Sequence, residues 1–317
     1  MVEREDTKVG QEDRVIVILG PTATGKTVRA VNLCRELNGE VISADSRQVY
    51  RGMDIGTGKD LEEYGEIPYH LIDICEAGEK YNLHRYISDF HKALSKVRDN
   101  GRFPIVCGGT GMYLENAISG IRLPEVPQNP KLRDSLENRS LSELSDILMT
   151  YKTLHNTTDI DTAKRAVRAI EICEYYKNHP EEAGKADRKN IKPIKSLLIG
   201  IDIPRDIRRE RISRRLRDRL NNGMIEEGRR LLAQGLSYED LIYYGLEYKF
   251  MAEYLMGKTS YENMTANLEI AIHQFAKRQM TWFRGMERRG FKINWLPYNL
   301  PEDEFNSRII ELMNAKK

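Results

Sequence analysis

The chain has 317 residues, a formal net charge of +2, and a composition of 40% hydrophobic and 31% charged residues, which is typical of a soluble globular protein of one or two domains. No apolar run is long enough to span a bilayer, and the charged start, MVEREDTKVGQED, lacks the apolar segment of a signal peptide. The four cysteines are scattered, without a CxxC pair or a histidine cluster, which argues against structural zinc and favours a reducing compartment. We therefore expect a cytoplasmic protein with no membrane segment.

Short β-branched runs alternate with helical patterns in the first third of the chain and return near its end. The patterns predict helices over about Lys26–Leu37 and Leu83–Gly101. Strands are predicted at Arg14–Gly20, Glu40–Asp45, Phe103–Gly111, Ile194–Ile203 and Phe291–Leu296, with a weaker signal at Pro68–Ile74. This alternation is typical of a parallel sheet with helices on both faces.

The pattern changes between Leu123 and Pro193. A proline-rich exit leads into two helical segments, Lys131–Leu154 and Asp161–Lys177, and then into a polar return. We predict a catalytic core formed by residues 12–124 and 193–317, interrupted by a small helical insertion domain at 125–192. The chain from Pro204 to Gly290 is predicted to be nearly all helical.

The stretch GPTATGKT fits the phosphate-binding pattern GxxxxGK[ST] and lies between a predicted strand and a predicted helix. Its glycines let backbone N–H groups surround an oxyanion, Lys26 adds a full positive charge, and Thr27 can ligate Mg²⁺. The fold class is thus α/β with a P-loop-type core. The predicted diphosphate- or nucleotide-binding residues are Gly20, Pro21, Thr22, Ala23, Thr24, Gly25, Lys26 and Thr27.

A nucleotide kinase acting on ATP is the obvious interpretation of such a loop, but kinases and NTPases usually hold Mg²⁺ with a second carboxylate at another strand end. The candidate strand ends in Gly108-Gly109-Thr110, which has no acid. The carboxylate that does follow a strand is Asp45, which should share the ligand crevice at the carboxyl edge of the sheet. The alternative is that Asp45 only caps a turn.

Basic residues are concentrated between Lys185 and Arg219, a stretch that contains 13 Lys/Arg and only 5 Asp/Glu. Arg208, Arg211, Arg215 and Arg219 are three and four residues apart and share one helical face. A polyanion footprint or a solvated helix face would each give this pattern.

Six blocks, in order along the chain, resemble those of the tRNA dimethylallyltransferases: GPTATGKT, ISADSRQVYRGMDIGTGK, YHLID, GGTGMY, RAIE and AKRQMTWFRG. This resemblance implies transfer of a dimethylallyl group from dimethylallyl diphosphate to N6 of an adenosine next to the anticodon in tRNA. Diphosphate would leave, so no γ-phosphate needs a second acid. The adenylate isopentenyltransferases share the core, so free adenine nucleotide stays an alternative acceptor.

The resemblance implies a role for each matched residue. Asp45 would be the base for the N6 proton, while Lys26, Thr22 and Arg215 would act on the diphosphate beside Mg²⁺ on Thr27. Contacts to the anticodon stem-loop of tRNA would come from Asp45, Ser46, Arg47, Gln48, Thr110, Lys164, Arg165 and Arg168. We expect a monomer.

The late segment HQFAKRQMTWFRG mixes basic and aromatic residues. Lys277, Arg278 and Arg284 are candidates for diphosphate or RNA contact, whereas Phe275, Trp282 and Phe283 are expected to pack in the core. Tyr113, after the block GGTGMY, could lie near substrate or pack in its helix. Three positions depart from the family pattern: Glu247 replaces a glycine, His273 replaces an arginine, and Ile160–Thr162 replaces an Asn-Asp pair. All three are expected to affect acceptor handling rather than the diphosphate site.

Overall fold

The structure, a computed structural model, describes residues 14–120, 126–153, 158–183 and 192–315. Predictions for the N-terminal tail, and for the part of the basic stretch at 185–191, lie outside the described residues. The chain divides into two compact units. The larger is formed by residues up to Ser119 and from Pro193 onward, and the smaller by Gly120–Lys192.

The larger unit is built on a six-stranded sheet in which all the strand pairs are parallel. Its strands are β1 (Arg14–Leu19), β2 (Gly39–Ser43), β3 (Tyr69–His70), β4 (Phe103–Gly108), β5 (Lys195–Asp202) and β6 (Ile293–Pro297). Their spatial order is β3-β2-β4-β1-β5-β6. The predicted α/β fold with a parallel sheet is confirmed.

The centre of the sheet is buried, which explains its β-branched sequence. β1 lies between β4 and β5, and its residues from Val15 to Leu19 have almost no exposed surface. A parallel strand covered on both faces has no polar side to alternate with, so it reads as a continuous apolar run. β3 is only two residues long because Leu71 and Asp73 adopt positive φ and turn the chain away.

Three helices follow the first strands. They are α1 (Lys26–Leu37), α2 (Leu83–Asp99) and α3 (Gly111–Ile118), and a short 3₁₀ turn lies at Leu61–Tyr64. α1 begins directly after Gly25, whose φ of 81° places it in the left-handed region that glycine tolerates best. The phosphate-binding motif therefore forms the turn from β1 into α1.

The smaller unit is helical in its described residues. It contains α4 (Pro130–Leu136), α5 (Leu141–Met149), α6 (Ala163–Asn178) and α7 (Pro180–Ala183). The prediction of one helical segment over Lys131–Leu154 is wrong, because Ser140 and Glu143 form a capping box that starts α5 as a separate helix. Leu144 and Leu148 pack against α6 in a small apolar core.

A buried carboxylate holds α6 to the start of α4. Glu171 accepts two hydrogen bonds of 2.9 Å from Arg133 and a further one from the backbone N–H of Asn129 at 2.6 Å. Arg168 also pairs with Glu171 and donates to the carbonyl of Val126 at 2.8 Å. Burial acts to raise the pKa of Glu171, but these donors outweigh it and lower the pKa to about 2.

The chain after β5 is mainly helical, as predicted. Its helices are α8 (Arg205–Asn221), α9 (Met224–Ala233), α10 (Tyr238–Tyr243), α11 (Leu246–Leu255), α12 (Tyr261–Arg288) and α13 (Glu302–Asn314). α12 is the longest of those described, at 28 residues, and it packs against α3, α8 and α11. These helices bring distant parts of the sequence to the carboxyl edge of the sheet.

Candidate active site

A cavity of about 460 Å³ lies at the carboxyl ends of three neighbouring strands, β1, β2 and β4. Its walls combine the turns after these strands with side chains from α8, α11 and α12. Strand carboxyl ends are where ligands bind in open parallel sheets. All of the lining residues belong to the larger unit.

The loop after β1, which carries the GxxxxGK[ST] motif, forms one wall of the cavity. Thr22, Ala23, Lys26 and Thr27 line the cavity. Hydrogen bonds within the loop stabilise its conformation. The hydroxyl of Thr24 donates to the carbonyl of Pro21 at 3.0 Å, and Lys26 Nζ donates to the same carbonyl at 2.7 Å. Burial lowers the pKa of Lys26 to about 8, against the opposing effect of nearby groups that include Asp45.

Asp45 lines the same cavity as the phosphate loop, two residues beyond β2. Its Oδ1 also accepts a hydrogen bond of 2.9 Å from the backbone N–H of Arg47. The two interpretations of Asp45 are therefore compatible, since one oxygen caps a turn while the carboxylate faces the cavity.

The residues after Asp45 are held by contacts with other strand ends. The backbone N–H of Ser46 donates to the hydroxyl of Thr110 at 3.1 Å, which joins the turn after β2 to the turn after β4. Arg47 Nη1 donates to the carbonyl of Tyr243 at 3.1 Å, and Gln48 Nε2 donates to the carbonyl of Gly58 at 3.1 Å. Ser46, Arg47, Gln48 and Thr110 all line the cavity with Asp45.

Two arginines on α8, far along the chain from the phosphate loop, bring positive charge to the cavity. Arg215 Nη2 donates to the carbonyl of Gly58 at 3.2 Å and pairs with Asp60. Arg219 lies 3.7 Å from the carboxylate of Glu247. Burial, followed by repulsion from Arg215, lowers the pKa of Arg219 to about 10. The other two arginines on this face, Arg208 and Arg211, are not among the cavity-lining residues, and Arg211 lies over the ring of Tyr298.

Gln279 joins two of the loops that form the cavity. The backbone N–H of Thr22 donates to its Oε1 at 2.9 Å, and its Nε2 donates to the carbonyl of Gly109 at 2.9 Å. The side chain is nearly fully buried on α12. Gln279 was not predicted from the sequence, because a glutamine beside Lys277 and Arg278 carries no signal of its own.

Glu63 is a second residue that the sequence analysis missed. It lies on the 3₁₀ turn Leu61–Tyr64, and its carboxylate lies near the side chain of Thr27, the last residue of the phosphate loop. Lys26 and Arg215 are close enough to interact with its charge. An oxygen pair formed by a hydroxyl and a carboxylate therefore lies at the start of α1.

Family models match most of the chain. The IPP transferase model covers residues 48–286, and an isopentenyl transferase model covers residues 13–66. A tRNA dimethylallyltransferase 1 from Parabacteroides distasonis is 57% identical over 304 residues, which are 95% of this chain and 97% of that protein. The chain belongs to the tRNA dimethylallyltransferase family. The predicted family is confirmed, and with it the prediction of an enzyme.

Further relatives match along most of the chain, and the solved structures among them have the same fold. A tRNA dimethylallyltransferase 2 from Treponema denticola is 51% identical over 285 residues, covering 89% of this chain and 95% of that protein. The structure of a tRNA isopentenylpyrophosphate transferase from Bacillus halodurans matches with a TM-score of 0.70 at 30% identity, over 96% of each chain. A eukaryotic dimethylallyltransferase acting on tRNA matches with a TM-score of 0.76 at 27% identity, over 95% of this chain and 79% of that one.

The departures from the dimethylallyltransferase pattern lie in different surroundings. Glu247 lines the cavity and pairs with Arg219, so it lies among the basic groups of the phosphate side rather than away from them. His273 is not among the cavity-lining residues. It is largely buried, with its Nε2 3.5 Å from Glu269.

The aromatic residues of α12 divide into two groups. Phe283 is fully buried, as the packing prediction requires. Tyr113, on α3, is also buried, and its ring stacks on Tyr86, which favours the packing interpretation. The packing prediction is wrong for Phe275, which is 38% exposed and lines the cavity beside Arg278. Trp282 is also 38% exposed and lies over Gly111, where a Cβ would come within 2.3 Å of its ring.

The predicted tRNA-binding residues of the smaller unit differ in how firmly their side chains are held. Lys164 and Arg165 are exposed near the start of α6, where Arg165 pairs with Asp161 on the preceding turn. Arg168, by contrast, is held by Glu171 and the carbonyl of Val126.

Within the described residues, no helix is both long and apolar enough to cross a membrane, and no group of three or more His, Cys, Asp or Glu residues could hold a metal ion.

We expect Gln279→Ala to weaken pyrophosphate binding roughly tenfold, because the loop N–H of Thr22 and the carbonyl of Gly109 lose their shared partner. Isothermal titration calorimetry with pyrophosphate measures the effect. Gln274→Ala, at an exposed position on the same helix, is the matched control. Equal affinities for the two variants would show that Gln279 does not shape the loop.

Proposed function

We propose that this enzyme transfers a dimethylallyl group from dimethylallyl diphosphate to N6 of an adenosine next to the anticodon in tRNA, and releases diphosphate. The observation that carries the proposal is one cavity in which the phosphate loop and Asp45 both take part. The turn after β4, Gly108 to Thr110, brings backbone and a hydroxyl to that cavity, and no acid. The site thus offers a cradle for a leaving diphosphate and one carboxylate for a proton.

The donor side stabilises negative charge. As the bond to the dimethylallyl carbon breaks, charge grows on the diphosphate, and fixed donors that face this charge lower the barrier. The N–H groups of the phosphate loop, Lys26 and Arg215 are the groups that would face it, and Thr22 lies beside them. Their carbonyl contacts at Pro21 and Gly58 hold both cations in place before the donor binds.

The acceptor side removes a proton. The lone pair of adenine N6 is delocalised into the ring, so the nitrogen attacks well only if its proton is accepted as the new bond forms. Asp45 Oδ1 is occupied by the backbone N–H of Arg47, which fixes the orientation of the carboxylate and leaves its second oxygen for this proton. The target base must leave its stack in the anticodon loop to reach the cavity.

We further propose that Mg²⁺ is required and that Thr27 and Glu63 hold it. The two side chains lie near each other, and a hydroxyl with one carboxylate fits an ion that usually takes few protein ligands plus substrate phosphates. Bound there, Mg²⁺ supplies positive charge to the leaving diphosphate.

The proposed location is the cytoplasm. The four cysteines, Cys34, Cys75, Cys107 and Cys173, are free thiols, which supports a reducing compartment. The expectation of a monomer stays a prediction.

The function is tested by incubating the protein with dimethylallyl diphosphate and Mg²⁺ in the presence of either unmodified tRNA or AMP. Mass spectrometry of both acceptors is expected to show the added prenyl group on tRNA. Prenylated AMP with unchanged tRNA would identify a free-nucleotide enzyme, and phosphorylation of an acceptor by ATP would identify a kinase.

We expect Asp45→Asn to lower the turnover number on the order of 10²–10⁴-fold with pyrophosphate affinity near that of the wild type. Asparagine keeps the oxygen that accepts from Arg47, so the turn is preserved while the base is lost. Single-turnover prenyl transfer at saturating donor measures the loss, and Asp45→Ala, which removes both roles, is the comparison. Nearly full turnover in Asp45→Asn would reduce Asp45 to a turn cap.

Glu63→Gln is expected to weaken metal binding about tenfold. The readout is Mn²⁺ bound in the presence of pyrophosphate, followed by electron paramagnetic resonance, which does not depend on turnover. Glu62→Gln, on the exposed neighbour, is the control. Removal of the metal with EDTA should weaken pyrophosphate binding in the wild type. Unchanged Mn²⁺ affinity in Glu63→Gln would exclude Glu63 from the metal site.

Lys164→Ala combined with Arg165→Ala should weaken tRNA binding and reduce the slope of log affinity against log salt by about one to two, because each lost phosphate contact contributes to that slope. Fluorescence anisotropy with labelled tRNA over a salt series measures both quantities. Arg168 is left intact because it also holds Glu171. Pyrophosphate affinity should not change. A wild-type salt slope would mean that the RNA binds elsewhere.

A further inference from the structure

The end of the second family block, ISADSRQVYRGMDIGTGK, has no role in the transfer described above. Residues Met53 to Lys59, with the sequence MDIGTGK, follow the acceptor-side residues Asp45 to Gln48 along the chain. Gly56, Thr57 and Gly58 line the cavity, whereas Lys59 is buried and pairs with the half-exposed Asp54 and with Asp73. What this segment contributes is its backbone.

Three successive backbone N–H groups of the segment converge on one buried carboxylate. Glu227 on α9 accepts from the N–H groups of Asp54 and Ile55 with Oε2, both at 2.8 Å. Its Oε1 accepts from the N–H of Gly56 at 2.9 Å and from the hydroxyl of Tyr248 at 2.6 Å. The side chain is only 3% exposed. Such a concave row of N–H groups is a common anion site, and here the chain supplies its own anion.

The two glycines of the segment are required by close approach. A Cβ on Gly56 would lie 2.6 Å from the ring of Tyr248. Gly58 has a φ of +63°, and a Cβ there would lie 1.5 Å from a guanidinium nitrogen of Arg219 and 2.6 Å from one of Arg215. The backbone is therefore pressed between the Glu227–Tyr248 pair and the cavity arginines.

The carbonyl of Gly58 connects this segment to both halves of the reaction. It accepts from Gln48 Nε2 at 3.1 Å on the acceptor side and from Arg215 Nη2 at 3.2 Å on the donor side. Gln48 in turn accepts from the hydroxyl of Ser43 at 3.3 Å. A shift of the segment would move both side chains together.

We propose that Glu227 is a positioning residue for prenyl transfer: by binding the N–H groups of Asp54, Ile55 and Gly56, it fixes the Gly58 carbonyl that orients Gln48 and Arg215. This inference rests on the proposed function. Glu227 lies outside the cavity lining, so it acts through the segment and not on the substrate.

The test is a double-mutant cycle between Glu227→Gln and Arg215→Ala. Glutamine has the same shape, but its NH₂ faces N–H or O–H donors in either orientation, so the segment loses part of its anchor. We expect Glu227→Gln to lower the turnover number about 10²-fold, the scale of a small misplacement of reacting groups. Glu226→Gln, at an exposed position on the same helix, should match the wild type.

The cycle separates positioning from simple stability. If Glu227 acts partly through Arg215, the double variant loses much less than the product of the two single losses. Losses that multiply in full, at a temperature where the variants are folded, would overturn the inference. Tyr248→Phe, which removes one of the four hydrogen bonds and keeps the ring, should show a smaller loss with the same coupling. If Glu227→Gln does not fold, Tyr248→Phe takes its place in the cycle with Arg215→Ala.

The same cycle is measured in pyrophosphate affinity, which does not require prenyl transfer. If the wild type fails to prenylate tRNA, the proposed function fails, whereas coupled losses in pyrophosphate affinity would still support the positioning role. Independent losses in that affinity would overturn it.

Discussion

The parallel pairing of β2 with β4 fixes the position of Asp45, the carboxylate of the proposed active site. The pairing continues past both strands, because the N–H of Ala44 donates to the carbonyl of Cys107 at 2.7 Å and the N–H of Thr110 donates to the carbonyl of Ala44 at 3.2 Å. A Cβ on Gly108 would lie 2.3 Å from that carbonyl oxygen, so only glycine allows the approach. Asp45 directly follows Ala44, so it is fixed at the edge of the sheet where the phosphate loop leads into α1.

The charges of the cavity are arranged before any ligand arrives. Arg215 is held by Asp60 and the carbonyl of Gly58, and Arg219 by Glu247. Preorganised charges of this kind need little rearrangement when negative charge develops on a leaving group. Glu247, a departure from the family pattern, thus pairs with one of the two arginines of α8 that line the cavity.

Local patterns predicted the sheet, the phosphate loop and Asp45, because each depends on residues adjacent in sequence. The strand order and the partners of the site depend on contacts that no local pattern encodes. Gln279 is hydrogen-bonded to Thr22, 257 positions away in the sequence, and Glu227 is hydrogen-bonded to Asp54, 173 positions away. The region from Pro204 to Gly290 was predicted to be helical, but its division into separate helices and the faces that cover the sheet were not predicted. For this reason, cavity-lining Phe275 was assigned to the core.

The claim that carbon moves while diphosphate leaves is tested most directly by reaction stoichiometry. Diphosphate release and dimethylallyl incorporation into unmodified tRNA can be measured in the same sample, with dimethylallyl diphosphate and Mg²⁺ and without ATP. The account predicts one diphosphate released for each dimethylallyl group gained by the tRNA. Diphosphate released without any gain by the tRNA would contradict it, as would a reaction that proceeds only with ATP and leaves a phosphorylated acceptor.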